Sequence, residues 1–491
     1  MKQNGFLTWS SALCLSAITL AAQETNQVEL LRRQLREATE NFDQIVRQQR
    51  LVIESLTKKI DALDQKNPAK PPPIELSPPP QPGTLSRPAA VAESAAVPPA
   101  VAPSSWSPAQ PLTVARAGAS YLNLSFDALM DAGWSSASDP SRQLNLGHHD
   151  PLQRGFSLRN AEIAVDGAVD PYFKGFANIV MSLDRDNGTE IEVEEAFLQS
   201  TALPHNLQLK AGQFFANFGR QNSQHPHQWA FADAPLALTR FFGPDGLRNI
   251  GAQMSWLAPT PFYSEAFLGV FNSQGEQAFS FRNRGQPDLL GVDRFAGRMT
   301  SDRNLRGPGD LLFVPRLVTS FDLTDQQTLV MGASGAFAPN STGAGLHTQV
   351  YGGDAYWKWK PANASEGFPF VSVQTEGLYR RFDAGADPGA LLPRETLCDW
   401  GFYSQALWGF RPHWVAGLRG EYVNGNRGAF DPGDVVRGER TRLSPVLTWY
   451  PSEFSKIRLQ YNYDRGRQFN DAHSVWLQLE FMLGAHGAHK F

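Results

Sequence analysis

The sequence predicts an all-β fold: a transmembrane antiparallel β-barrel of about 16–18 strands, preceded by an α-helical coiled coil and a proline-rich linker. Three observations predict it. Apolar and polar residues alternate with period two from about residue 117 to residue 491. Aromatic residues gather near the ends of the alternating runs. An amino-terminal leader is followed by no apolar stretch long enough for a membrane helix, and only helices and closed barrels satisfy their backbone in lipid.

Lys2 precedes the apolar run Phe6 to Ala22, which ends on the small pair Ala21 and Ala22, so residues 1–22 are expected to be a secretory signal peptide. Cys14 lies inside that run. Cys398 is then left alone in the mature chain, which excludes an internal disulfide and a cysteine metal cluster. A formal charge of −4 over 491 residues leaves no basic footprint for nucleic acid.

Residues 23–66 carry apolar side chains at heptad-like spacing. Val28, Leu31, Leu35, Ala38, Phe42 and Ile45 form one series; Ile53, Leu56, Ile60 and Leu63 form a second, offset by a four-residue step. That spacing predicts a coiled coil with a stutter. A homotrimer is the preferred assembly, and a single helix against the barrel mouth is the alternative. Residues 67–116 contain KPPPIELSPPPQP and an Ala/Pro/Val tract, a stiff spacer reaching at most about 140 Å at 3.1 Å per residue.

The strands of residues 117–491 are read from their two faces. Phe173, Ala177, Ile179, Met181 and Leu183 oppose Lys174, Asn178 and Ser182. Ile457, Leu459, Tyr461 and Tyr463 oppose Lys456, Arg458, Gln460, Asn462 and Asp464, and Val475, Leu477, Leu479, Phe481 and Leu483 oppose Gln478 and Glu480. Turns are expected at Asp186-Asn187-Gly188, Asn424-Gly425-Asn426 and Asp431-Pro432-Gly433. Tyr356, Trp357, Trp359, Trp449 and Tyr450 are expected in interfacial girdles.

The middle of the barrel contains Lys210-Ala-Gly212-Gln213-Phe214 followed by Phe218-Gly219-Arg220-Gln221-Asn222. This KxGQFxxxFGxxN pattern resembles the phosphate-selective porin (porin O/P) family of outer-membrane barrels. The HDP, RGF, VDPYF and HPHQW segments and the GAHGAH tail also resemble envelope proteins labelled zinc-regulated TonB-dependent receptors. The first resemblance implies passive or weakly selective diffusion of small hydrophilic solutes, with phosphate among the possible anions, through a barrel in outer-membrane lipid. The second implies energised uptake of a metal or chelate, but coiled coil and linker occupy the place of a receptor's plug. A structural tether, with the coiled coil in the periplasm touching the cell wall, is a further alternative.

Between strands ending near Phe215 and starting near Ile250 lies QNSQHPHQWAFADAPLALTRFFGPDGLRN, a long stretch without alternation. It is expected to fold into the lumen and narrow it, with Arg220, Arg240, Asp245 and Arg248 supplying the local field. The alternative is a loop packed over the rim. Lys174, Lys210, Arg419, Glu421 and Arg458, on polar strand faces, are further pore-lining candidates.

His148, His149, His225 and His227 are weak candidates for metal ligation, because their spacing fixes no shared helical face and no third ligand. No dedicated metal site and no cofactor is expected. No GxSxG, HExxH, P-loop or cysteine nucleophile pattern occurs, so no enzyme activity is expected. Glu194 and Glu195 are adjacent in an alternating run and are expected on opposite faces.

Overall fold

A computed structural model describes residues 112–484 except 119, 185, 288–290, 427, 430–436 and 468. The leader, the coiled coil, the linker up to residue 111 and the 431–433 turn lie outside the described residues.

Sixteen antiparallel strands close into one barrel. They are β1 (Ser120–Ser135), β2 (Gly155–Ala168), β3 (Phe173–Leu183), β4 (Thr189–Ser200), β5 (Leu207–Phe215), β6 (Arg248–Leu257), β7 (Tyr263–Asn272) and β8 (Leu311–Thr324). The circuit continues through β9 (Gln327–Pro339), β10 (His347–Trp359), β11 (Phe370–Ala384), β12 (Glu395–Arg411), β13 (Trp414–Gly425), β14 (Arg440–Ser452), β15 (Ser455–Gly466) and β16 (Phe469–Leu483). Each pairs with its sequence neighbours, and β1 closes on β16 from Phe126↔Leu483 to Ser135↔Ser474. A short strand, Leu112–Ala117, pairs with β1 just beyond the place where β16 ends. The count falls at the lower end of the range the sequence predicts.

Connections after even-numbered strands are short, from two residues at Asp325–Gln326, Pro412–His413 and Glu453–Phe454 to ten at 360–369, whereas those after odd-numbered strands include 136–154, 216–247 and 273–310. The barrel therefore has a tightly turned rim and a long-looped rim. At the 184–188 turn, Asn187 takes a φ of 60° while the Asp184 carboxylate accepts from the backbone N–H of Asp186 and Gly188. Those contacts let a polar residue hold a left-handed position.

The outer surface settles which solvent surrounds the barrel. Every one of the sixteen strands exposes at least one large apolar side chain, among them Met130, Ile179, Met254, Leu317, Trp400, Leu418, Leu447, Leu459 and Leu477. A continuous exposed apolar belt of that kind is unfavourable in water and is the lipid face of a transmembrane barrel. On β15 the opposite face is buried: Lys456, Arg458, Gln460, Asn462 and Asp464. One correction concerns the aromatic girdles. Trp449 is exposed on the outer face and stacks on Trp414 with ring centroids 5.9 Å apart, but Tyr356 lies under the Arg220 guanidinium, 3.9 Å from its centre, on the lumen side. Tyr450 likewise alternates with the outward Trp449 and turns inward.

Substituting Leu459, near the middle of β15, by Arg should cost about 2–4 kcal/mol, read from denaturant unfolding in lipid vesicles. No change on unfolding would mean that this face does not meet acyl chains.

Candidate functional site

The site is the lumen itself, because the connection 216–247 does not stay at the rim. It leaves β5 and crosses the barrel. Its short helix α1 (Leu236–Phe242) lodges against the inner faces of β11, β12 and β13. All seven residues of α1 are buried, and Leu236, Ala237, Leu238, Phe241 and Phe242 join a core with Phe214, Phe218, Phe271, Val350 and Val423. Burying a Phe or Leu side chain contributes about 1.5–3 kcal/mol, whereas buried ion pairs roughly break even against desolvation. Apolar packing therefore holds the segment inside, and the polar network fixes where it lies.

The far wall, β11 to β15, supplies that network. Asp233 is its hub: Arg419 and Arg442 pair with its carboxylate, and Gln460 and Asn462 donate to it at 2.8 and 2.9 Å. Burial alone would raise this carboxyl, but the two guanidiniums and the Gln460 amide overcome it and hold the pKa down at about 2. The irregular backbone is satisfied by side chains: Glu421 accepts from the Leu236 N–H at 2.7 Å, Gln460 from Ala232 at 2.7 Å, and Glu376 from Arg220 and Gln221 at 2.7 Å each. Arg458 donates to the carbonyls of Trp229 and Phe231, and Lys456 to that of His227 at 2.8 Å. Gly219 permits the approach to Glu376. Its φ is +60°, and an added Cβ would stand 2.5 Å from the Glu376 carboxylate.

The residues singled out from the sequence take different positions around the lumen. Arg419, Glu421 and Arg458 are on the lumen side but buried under the segment, and Arg240, itself buried on α1, pairs with Asp399 at 3.0 Å beside Arg380 and Arg437. Arg220 is half-buried over Tyr356 and donates to Gln374 at 3.2 Å; Arg248, where β6 begins, pairs with Glu192 and donates to the Glu194 carbonyl at 2.8 Å. Lys210 sits over the Phe197 and Phe214 rings, 3.6 Å from Glu195, while Lys174 is exposed near the tightly turned rim. Asp245 lies 3.8 Å from His148, and burial raises its carboxyl pKa above the ordinary value.

The near wall departs from the alternation. Between β3 and β4 the register slips so that Asn178 opposes Glu195 and Ile179 opposes Val193, which leaves Glu194 as a bulge. Glu194 and Glu195 are therefore both buried on the lumen side, contrary to the expectation that adjacent residues part to opposite faces. A second slip between β1 and β2 does the same for Arg159 and Asn160. His225 spans the two carboxylates, with Nδ1 2.8 Å from Glu194 and Nε2 3.0 Å from Glu195. His149 reaches Glu194 at 3.4 Å, and His227 lies 3.6 Å from Glu162 and 3.9 Å from Asp127. The structure thus gathers three of the four candidate histidines. Asp127, Glu162 and Asp233 carried no sequence signal beyond inward parity or, for Asp233, none at all.

Because the Asp233 pKa lies below its ordinary 3.8, the anchor is fully present above about pH 4 and is lost as pH falls through about 2. Pepsin should therefore spare residues 216–247 at pH 4 and cut them at pH 2. Asp233→Asn, which leaves two buried guanidiniums short of a counter-charge at a cost of about 3–5 kcal/mol, should open them already at pH 4. Equal cleavage of both proteins at pH 4 would remove Asp233 as the hub.

No family model matches the sequence. Among solved structures, the outer-membrane channel DcaP of Acinetobacter baumannii is similar at a TM-score of 0.49 and 10% identity, covering 74% of this chain and 97% of that one. An anion-selective porin from Comamonas acidovorans is similar at a TM-score of 0.47 and 8% identity, covering 74% of this chain and all of the other at 100%. Among curated proteins, an uncharacterized protein of Aquifex aeolicus (strain VF5) is 31% identical over 367 residues, 69% of this chain and 71% of its own length. At that identity and coverage, this chain belongs to the same family as the Aquifex aeolicus protein.

Proposed function

We propose that the protein is an outer-membrane channel for small hydrophilic solutes, narrowed by the segment 216–247. The observation that carries this reading is an apolar belt around a polar lumen that a loop enters and crosses, held by side chains of both walls. An anchor needs only the belt. A wall carrying Arg419, Glu421, Arg440, Arg442 and Asp464 is costly to bury, and here it holds the loop across the lumen instead of leaving it at the rim. The basic cluster Arg240, Arg380 and Arg437 around the single Asp399 supports a preference for anions, phosphate among them. The coiled coil at 23–66 is proposed to trimerise the barrels, which chemical cross-linking of the intact chain would read as a three-fold ladder.

Full-length protein in planar bilayers should give discrete conductance steps. Arg240→Ala, which removes one guanidinium from the Asp399 cluster and loosens α1, should raise the unitary conductance and lower the anion-to-cation permeability ratio measured under asymmetric KCl. Silence of the wild type would favour the anchor reading. Identical currents from both proteins would take Arg240 out of the path.

A further inference from the structure

The near wall holds an arrangement that a conduction pathway does not call for. His225 comes from the crossing segment, Glu162 from β2 and Glu194 from the bulge of β4, and one donor atom of each lies within 4.8 Å of the other two. All three side chains are buried. His149, from the connection 136–154, approaches the second oxygen of Glu194. His227 stacks on His225 with ring centroids 5.6 Å apart and reaches Glu162.

The hydrogen-bond chemistry is informative. Both nitrogens of His225 face carboxylate oxygens, at 2.8 and 3.0 Å, so a neutral imidazole would turn a lone pair toward an anion. His149 repeats the pattern. Its Nδ1 is 3.1 Å from the Arg159 carbonyl, which can only accept, so Nδ1 carries a hydrogen, and in the neutral ring the Nε2 lone pair faces Glu194 at 3.4 Å. Backbone-oriented imidazoles of this kind are how proteins aim a nitrogen at a metal. An independent sign lies alongside: Asp127 is 4% exposed, neither of its carboxylate oxygens has a hydrogen-bond partner, and its contact with His227 is 3.9 Å. The amide oxygen of Asn178, whose nitrogen donates to Glu194 at 2.7 Å, is also buried without a partner. Anionic and lone-pair atoms thus converge in a place closed to bulk water.

We propose that Glu162, Glu194 and His225 bind one divalent transition-metal ion of the zinc class, with His149 in reach as a further ligand, and that the ion clasps the crossing segment to the barrel wall. Mixed imidazole and carboxylate donors select such an ion over magnesium or calcium, which take oxygen alone. Zinc bonds of about 2.0–2.2 Å place tetrahedral donors roughly 3.3–3.5 Å apart, so shifts of under about 1 Å per side chain would complete the site. A small cavity lined by His149, Glu194, Gln221, Asn222, Trp229 and Asp245 borders the site on the Glu194 side. Binding at this site does not depend on whether the barrel conducts.

The test uses full-length protein in detergent, stripped with chelator, with His486 and His489 of the tail replaced by Ala to remove incidental binding. Equilibrium dialysis against micromolar Zn²⁺ should retain one ion per chain. Co²⁺ titration should give visible d–d bands that saturate at one equivalent. Glu162→Gln combined with Glu194→Gln should lower the affinity by more than about tenfold while heat-modifiable migration shows the barrel still folded. X-ray absorption of the zinc-loaded wild type, which needs no variant, should show one or two imidazoles with carboxylate oxygens. A wild type that retains no ion, or one whose ion carries only water, overturns the proposal. So does an ion kept at full affinity by the double variant, which would place it at His148, Glu192 and Asp245.

Discussion

An irregular chain inside a barrel has to find partners for its backbone N–H and C=O groups without a strand or a long helix to supply them. Almost everything distinctive here follows from that constraint. α1 covers seven residues only, so the rest of the segment 216–247 depends on side chains that the wall extends toward it. Carboxylates of Glu376 and Glu421 and the amide of Gln460 take its N–H groups, while Arg458 and Lys456 take its carbonyls. A charged lumen in this protein is thus a docking surface first. Its long side chains supply donors from Arg and Lys and acceptors from Glu, which is what an uneven backbone requires.

The same constraint explains why parts of the sequence were legible and others were not. Alternation on β15 and β16 declared the two faces residue by residue, because a strand's period of two is set by its own backbone. The stretch from Gln221 to Asn249 announced itself by lacking any period. Its contacts could not be read, since Asp233 meets Arg419 and Arg442 across separations of 186 and 209 residues, and nothing local marks such a pair. Tyr356 and Tyr450 were misplaced because aromatic clustering indicates depth but not facing, which the alternation with their neighbours decides.

Glu194 is the instructive failure. Period two sends adjacent side chains apart, and a bulge suspends that rule for one residue. The bulge falls where the alternation of Glu190-Ile-Glu-Val-Glu-Glu195 doubles its glutamate, and it turns two carboxylates to one side and gives His225 something to span. The histidine cluster was illegible for the same reason. His149 and His225 are 76 positions apart and meet only because both are brought to the oxygens of Glu194.

The two walls solve one problem with opposite chemistry. On the far wall guanidiniums surround the segment carboxylate Asp233 and the strand carboxylate Asp399, and hydrogen bonds are plentiful. On the near wall carboxylates surround imidazoles, which carry a positive charge only when protonated or when they share their lone pairs with a cation. The Asp233 anchor is therefore insensitive to conditions near neutrality, because its carboxyl titrates at about 2 and Arg does not titrate there. Grip on the near side varies with whatever supplies the missing positive charge.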